Sequence, residues 1–77
     1  MPTPLIHEPE FTPTTDPSSR TFRGRVRPAD PTLNAYLLAL TRFGEWGPDL
    51  APGYVRETHF EPCGAWCRYE IVDRRTK

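Results

Sequence analysis

The chain is organised around one alternating stretch, Thr21-Phe22-Arg23-Gly24-Arg25-Val26-Arg27. The even-numbered residues of this stretch are apolar or small, and three of the odd-numbered residues are arginine. Alternation with a period of two is typical of a strand with one buried and one exposed face. Pro28 follows and has no backbone donor, so we expect the strand to end at Arg27.

A helix is predicted next, over residues 31–43. The carboxylate of Asp30 can accept hydrogen bonds from the first free amides, and proline suits the first helical position. Gly44 suits the residue that ends a helix. Apolar residues at spacings of three and four form one stripe: Leu33, Tyr36, Leu37, Leu40 and Phe43. We expect this stripe to pack on the sheet and Leu38 to project from the polar face.

Two further strands are predicted at residues 54–60 and 66–72, where aromatic and β-branched residues are frequent. The turn-prone link at residues 61–65 favours a hairpin between them. In the last strand, Cys67, Tyr69 and Ile71 share one face. Either the even-numbered or the odd-numbered residues of the other strand can face the helix, because the register depends on how the preceding loop closes.

These elements predict a single α+β domain over residues 20–73, followed by a polar tail at 74–77. Its fold class is a small three-stranded antiparallel sheet, β-α-β-β with strand order 1-3-2, packed on one helix. The leucine stripe would be buried against Phe22, Val26, Tyr69 and Ile71. The opposite sheet face would carry the arginines of the first strand and remain open to a partner or to solvent.

Residues 1–19 are predicted to form an extended proline-rich N-terminal arm. Five prolines occur in this segment: Pro2, Pro4, Pro9, Pro13 and Pro17. Proline disfavours helices and central strands, so the arm cannot build a core of its own and needs another surface to become ordered. Leu5, Ile6 and Phe11 are spaced along it in the way that an extended peptide docks side chains into pockets.

The arm predicts a non-catalytic protein-binding module, a small regulator or inhibitor attached to a larger macromolecular machine, of the kind that phages and other compact genomes encode. The partner is then a protein, a subunit of a larger complex. Besides Leu5, Ile6 and Phe11, the predicted contact residues are Arg23, Arg25, Arg27, Trp46 and Trp66. Arginine and tryptophan are frequent among residues that dominate interface energetics. No glycine-rich phosphate loop or metalloprotease motif is present in the sequence, so we expect no enzyme.

Two alternatives remain open at this point. Arginines beside an aromatic residue can bind nucleic acid, although alternation sends Phe22 to the face opposite Arg23 and Arg25. A structural subunit whose arm laces neighbouring copies together is the other alternative.

Charge and composition give no support for a membrane protein or for general binding of nucleic acid. Ten basic and ten acidic residues cancel, so total charge favours neither nucleic acid nor a membrane surface. No apolar run reaches the roughly 20 residues of a membrane span, and the start lacks a secretory pattern. We therefore expect a cytoplasmic protein with no membrane partner.

His59, Cys63 and Cys67 are the weak candidates for a metal site. Zinc takes four nitrogen or sulfur ligands in structural sites, and this group supplies three without the close Cys-x-x-Cys pair. We accordingly expect no metal and no other cofactor.

Overall fold

The computed structural model describes residues 4–10 and 18–76. Its elements run in the order β1 (Leu5–Glu10), β2 (Ser19–Pro28), α1 (Ala35–Thr41), α2 (Phe43–Trp46), β3 (Tyr54–Cys63) and β4 (Trp66–Arg75). The four strands form one antiparallel sheet in the order β1-β2-β4-β3. The predicted three-stranded sheet on a single helix is therefore wrong, because part of the proline-rich segment supplies a fourth strand and two short helices replace one.

Strand β1 is possible because it lies at an edge of the sheet. The Ala29 amide donates to the carbonyl of Pro4 (2.9 Å), and each position further along pairs with β2 as far as Glu10 opposite Arg23. Antiparallel pairing alternates between bonded and non-bonded pairs, which places the nitrogen of Pro9 on the side away from β2. Its missing N–H therefore removes no ladder bond, and the surface that orders this segment is the domain's own β2.

Strands β3 and β4 form a hairpin whose turn is Gly64-Ala65, with Cys63 paired to Trp66. Gly64 has φ 60°, a left-handed conformation that disfavours other residues. The turn fixes the register that the sequence left open. Residues 54, 56, 58 and 60 share the face covered by the helices, and residues 55, 57, 59 and 61 share the opposite face, here called the open face.

Helix α1 begins later than predicted and is rotated. The side chain of Asn34, not that of Asp30, caps it by accepting from the Leu37 amide (3.0 Å). The Asp30 carboxylate instead accepts from the Thr32 amide and hydroxyl, which closes a separate turn. Gly44 lies inside α2 and does not end the first helix.

Two alanines, not the leucine stripe, pack α1 onto the sheet. Ala35 and Ala39 are buried, whereas Leu33, Leu37 and Leu40 are exposed and Leu38 is half-buried. The small alanine side chains let the helix approach the sheet closely. The volume of the core comes instead from Val26, Cys67, Tyr69 and Ile71, with half-buried aromatic residues around them.

A buried ion pair fixes the loop after α2 to the hairpin. Asp73 of β4 is fully buried and accepts two hydrogen bonds from Arg56 of β3, at 2.7 and 2.9 Å. Arg56 also donates to the carbonyl of Pro48 in that loop (2.7 Å). The hydrogen bonds to Asp73 hold the pKa of the Arg56 guanidinium above its ordinary value, so Arg56 stays charged.

Candidate interaction surfaces

The open face carries three of the four arginines of β2, and two of these three are bound to carboxylates of neighbouring strands. Arg23 donates to Glu70 of β4 and Arg25 to Glu8 of β1, with shortest N–O distances of 2.7 Å. These pairs are cross-strand neighbours, because Arg23 lies opposite Glu70 and Arg25 opposite Glu8. Positive and negative side chains thus alternate on the open face, and it has no uniformly positive potential.

Trp66 is half-buried on the same face beneath two guanidinium groups. The Cζ atom of Arg25 lies 4.0 Å, and that of Arg27 5.0 Å, from the centre of a Trp66 ring. Such stacking is favourable, and it covers one face of the indole with the protein's own cations. Of the predicted contact residues, the structure brings together Arg23, Arg25, Arg27 and Trp66.

The other predicted contact residues lie elsewhere. Ile6 pairs with Arg27 on the open face, whereas Leu5 pairs with Pro28 and faces the helix side. Trp46 belongs to α2, on the helix side. Phe11 lies outside the described residues.

A second candidate surface is the outer side of α1. Leu37 and Leu40 of α1 are 56 and 38% exposed and are neighbours on the helix surface at a spacing of three, and Leu33, in the turn before the helix, is 40% exposed. We call these three residues the leucine surface. The sequence pattern assigned these leucines to the core, because they form one apolar stripe with two aromatic residues at helical spacing; the structure instead buries Ala35 and Ala39.

A third candidate is an aromatic cleft on the helix side, between α2 and the first two strands. Its volume is about 570 Å³, and the residues that line it include His7, Arg20, Phe22, Trp46, Pro48 and Tyr69. The centre of the Trp46 ring lies 5.4 Å from the centre of the His7 ring and 4.9 Å from the centre of the Tyr69 ring. No local sequence pattern places His7 beside Trp46 and Tyr69, since these residues lie far along the chain from it.

His7 and Tyr69 are joined by a hydrogen bond of 2.6 Å between Nε2 and Oη. Burial raises the pKa of the Tyr69 phenol, which therefore stays protonated; the imidazole tautomer decides whether the hydroxyl donates to Nε2 or accepts from it. Burial also lowers the pKa of His7, because an imidazolium loses hydration there. The pair links β1 to the centre of the sheet.

The lowered pKa of His7 predicts that low pH loosens β1. The unfolded chain protonates near pH 6.5 and the folded chain only below that, so stability present above about pH 6.5 is lost as pH falls through the folded pKa. We expect the urea midpoint of the wild type to fall more between about pH 7.5 and about pH 5 than that of His7→Gln. His59 is present in both proteins and cancels. Parallel curves for the two proteins would contradict the prediction.

The weak metal candidates are divided between the two faces of the sheet. His59 and Cys63 lie on the open face, roughly 13 Å apart along β3. Cys67 is buried on the helix side, where burial raises the pKa of its thiol. Within residues 4–10 and 18–76, no group of three His, Cys, Asp or Glu side chains is placed to hold a metal ion.

Comparison of the chain with family models, curated proteins and solved structures gives no match. In the part of the chain that the structure describes, none of the helices has the length and apolar character needed to cross a membrane.

Proposed function

We propose that the protein is a non-catalytic protein-binding module, a small regulator or inhibitor that attaches to a larger complex through the leucine surface. The observation that carries this proposal is the exposure of Leu37 and Leu40 side by side on α1, at 56 and 38%, with Leu33 exposed at 40% in the turn before it. Single exposed leucines are ordinary, whereas several exposed together on a small domain favour an interface.

The chemistry of the leucine surface favours an apolar partner. The two polar side chains beside it already bond to the helix itself: Asn34 accepts from the Leu37 amide, and the Thr41 hydroxyl donates to the Leu37 carbonyl. The leucine surface therefore offers apolar area with few free donors or acceptors. An apolar groove, or the apolar side of a helix, is the partner surface that it fits.

The open face gives less support to nucleic-acid binding. Glu70 and Glu8 hold Arg23 and Arg25, while Arg27 stacks on Trp66. A phosphate would have to displace carboxylates that are already paired, and the neighbouring glutamates would repel it. Protein binding is therefore the one function that we propose.

Replacing Leu37 with glutamate is expected to abolish partner binding without unfolding the domain. Leu37 is the most exposed of the three, so a charge there meets solvent in the free protein but would be buried unpaired in a complex. Leu50→Glu is the matched control, since Leu50 is an exposed leucine (48%) in a loop apart from α1. The measurement is capture from lysate of the native host with each of the three proteins, with mass spectrometry of the bound fraction.

A protein recovered with the wild type and Leu50→Glu but lost with Leu37→Glu would support the proposal. Equal recovery with all three proteins would contradict it. Sedimentation of the purified wild type adds a second readout: self-association abolished by Leu37→Glu would favour a structural subunit that assembles with its own copies, in place of a regulator.

A further inference from the structure

The aromatic cleft has the size and lining of a small-molecule site. Its volume of about 570 Å³ falls within the range of roughly 300–1,000 Å³ for ligand pockets. It is separate from the leucine surface and makes no use of it. Any ligand bound there would be a property of the protein beyond the function proposed above.

Three aromatic side chains supply the apolar wall of the cleft: Phe22, Trp46 and Tyr69. The polar atoms of two of these are already bonded inside the protein, because the Trp46 indole N–H donates to the Ala39 carbonyl (2.9 Å) and the Tyr69 hydroxyl bonds to His7. What these rings offer a ligand is therefore their apolar surface. Edge contacts among neighbouring rings, such as Phe43 against Trp46 at 5.1 Å, hold the wall in place.

Arg20 gives the cleft a preference for anions over cations. It is half-buried, and its Cζ atom lies 5.2 Å from the centre of the Phe22 ring. Its cross-strand neighbour Asp73 is already bound by Arg56. Among residues 4–10 and 18–76, no carboxylate lies within ion-pair distance of Arg20, in contrast to Arg23, Arg25 and Arg56.

Other charged residues at the cleft do not reverse this preference. Arg23 is held by Glu70 on the open face. Glu10 also borders the cleft, but it pairs with Arg23 and so shares the open face with Glu8, on the side of the sheet opposite Arg20. Arg20 and Glu10 therefore project from opposite faces of the sheet.

We propose that the cleft binds a small aromatic carboxylate, with its ring against Trp46 and Phe22 and its carboxylate on the guanidinium of Arg20. Arginine binds carboxylates through two parallel N–H bonds, and an aromatic ring fits a wall whose own rings pack edge to face.

Indole-3-acetate is the probe, and the two indole N–H signals of the protein report on where it binds. We expect saturable shifts of the Trp46 signal with a dissociation constant of about 1 mM, the affinity typical of a ligand of this size, and no shift of Trp66. The Trp66→Phe variant assigns the two signals. The uncharged indole-3-acetamide should bind the wild type roughly 10-fold more weakly, since it lacks the charge that Arg20 recognises.

Arg20→Gln should weaken indole-3-acetate binding by roughly 10-fold and leave the amide unaffected. Arg27→Gln is the matched control, because Arg27 belongs to the same strand but stacks on Trp66 on the open face, and it should bind like the wild type. The comparison of acid and amide uses the wild type alone, so it decides the question even if a variant fails to fold. Equal affinity for acid and amide, no saturation at Trp46, or a shift of Trp66 first would overturn the proposal.

Discussion

Replacing Asp73 with alanine is expected to remove most of the domain's free energy of unfolding. The substitution removes the carboxylate from a site with no solvent exposure and leaves Arg56, whose side chain is 14% exposed, without its partner. An unpaired buried charge of this kind destabilises by about 3–5 kcal/mol. Domains of this size have a total free energy of unfolding of about 5 kcal/mol, so the loss takes most of it. Urea unfolding followed by tryptophan fluorescence measures the change.

A paired replacement separates the ion pair from general damage to the core. Arg56→Met with Asp73→Leu removes both charges together, and buried pairs replaced in this way often keep or gain stability. We expect the double variant to be clearly more stable than Asp73→Ala alone. If Asp73→Ala lowers the free energy of unfolding by less than about 1 kcal/mol, the pair contributes no more than an exposed surface ion pair, which would contradict its structural role.

Replacing Gly24 with alanine is expected to displace β1 from the sheet. A β-carbon there would lie 2.6 Å from both the Glu8 carbonyl oxygen and the Tyr69 hydroxyl, and 2.9 Å from Cα of Pro9. Two of those atoms are backbone atoms of β1, so the clash is relieved only if the strand moves. We expect a loss of about 1–3 kcal/mol and faster hydrogen exchange at the β1 amides, with β3 and β4 little changed.

Gly44→Ala is the matched control for this substitution. A β-carbon at Gly44 meets nothing within 4 Å, and alanine favours the helical backbone of α2 by up to about 1 kcal/mol. This variant should be as stable as the wild type or more so. Unchanged exchange at β1 in Gly24→Ala would show that the strand does not approach Gly24 as closely as described.

Local pattern predicts part of this fold. The alternation at residues 21–27 and the aromatic and β-branched stretches before and after Gly64 lie within β2, β3 and β4. Pattern fails for β1, because proline counts against a strand unless the strand is at an edge, and a position at an edge depends on the whole sheet. The fold class inferred without β1 was wrong for that reason.

The candidate surfaces were harder to predict than the strands. Leucine at helical spacing was assigned to the core by its hydrophobicity, yet the residues that α1 buries are Ala35 and Ala39, with Tyr36 packed beside them and aromatic rings of other elements around the core. The contact between His7 and Tyr69 spans 62 residues of sequence, so no local window contains it. Pairing of β2 arginines with Glu8 and Glu70 likewise depends on a register that only the assembled sheet defines.

Proline also appears at the opposite edge of the sheet, and the two positions together bear on aggregation. Pro62 pairs with Cys67 next to the pair that closes the hairpin, so its nitrogen, like that of Pro9, points outward. If a strand from another molecule paired with either edge, one of its carbonyls would face a proline nitrogen, which has no hydrogen to donate. Fibril growth needs a continuous ladder of backbone hydrogen bonds between added strands, and a proline interrupts that ladder at each edge of this sheet.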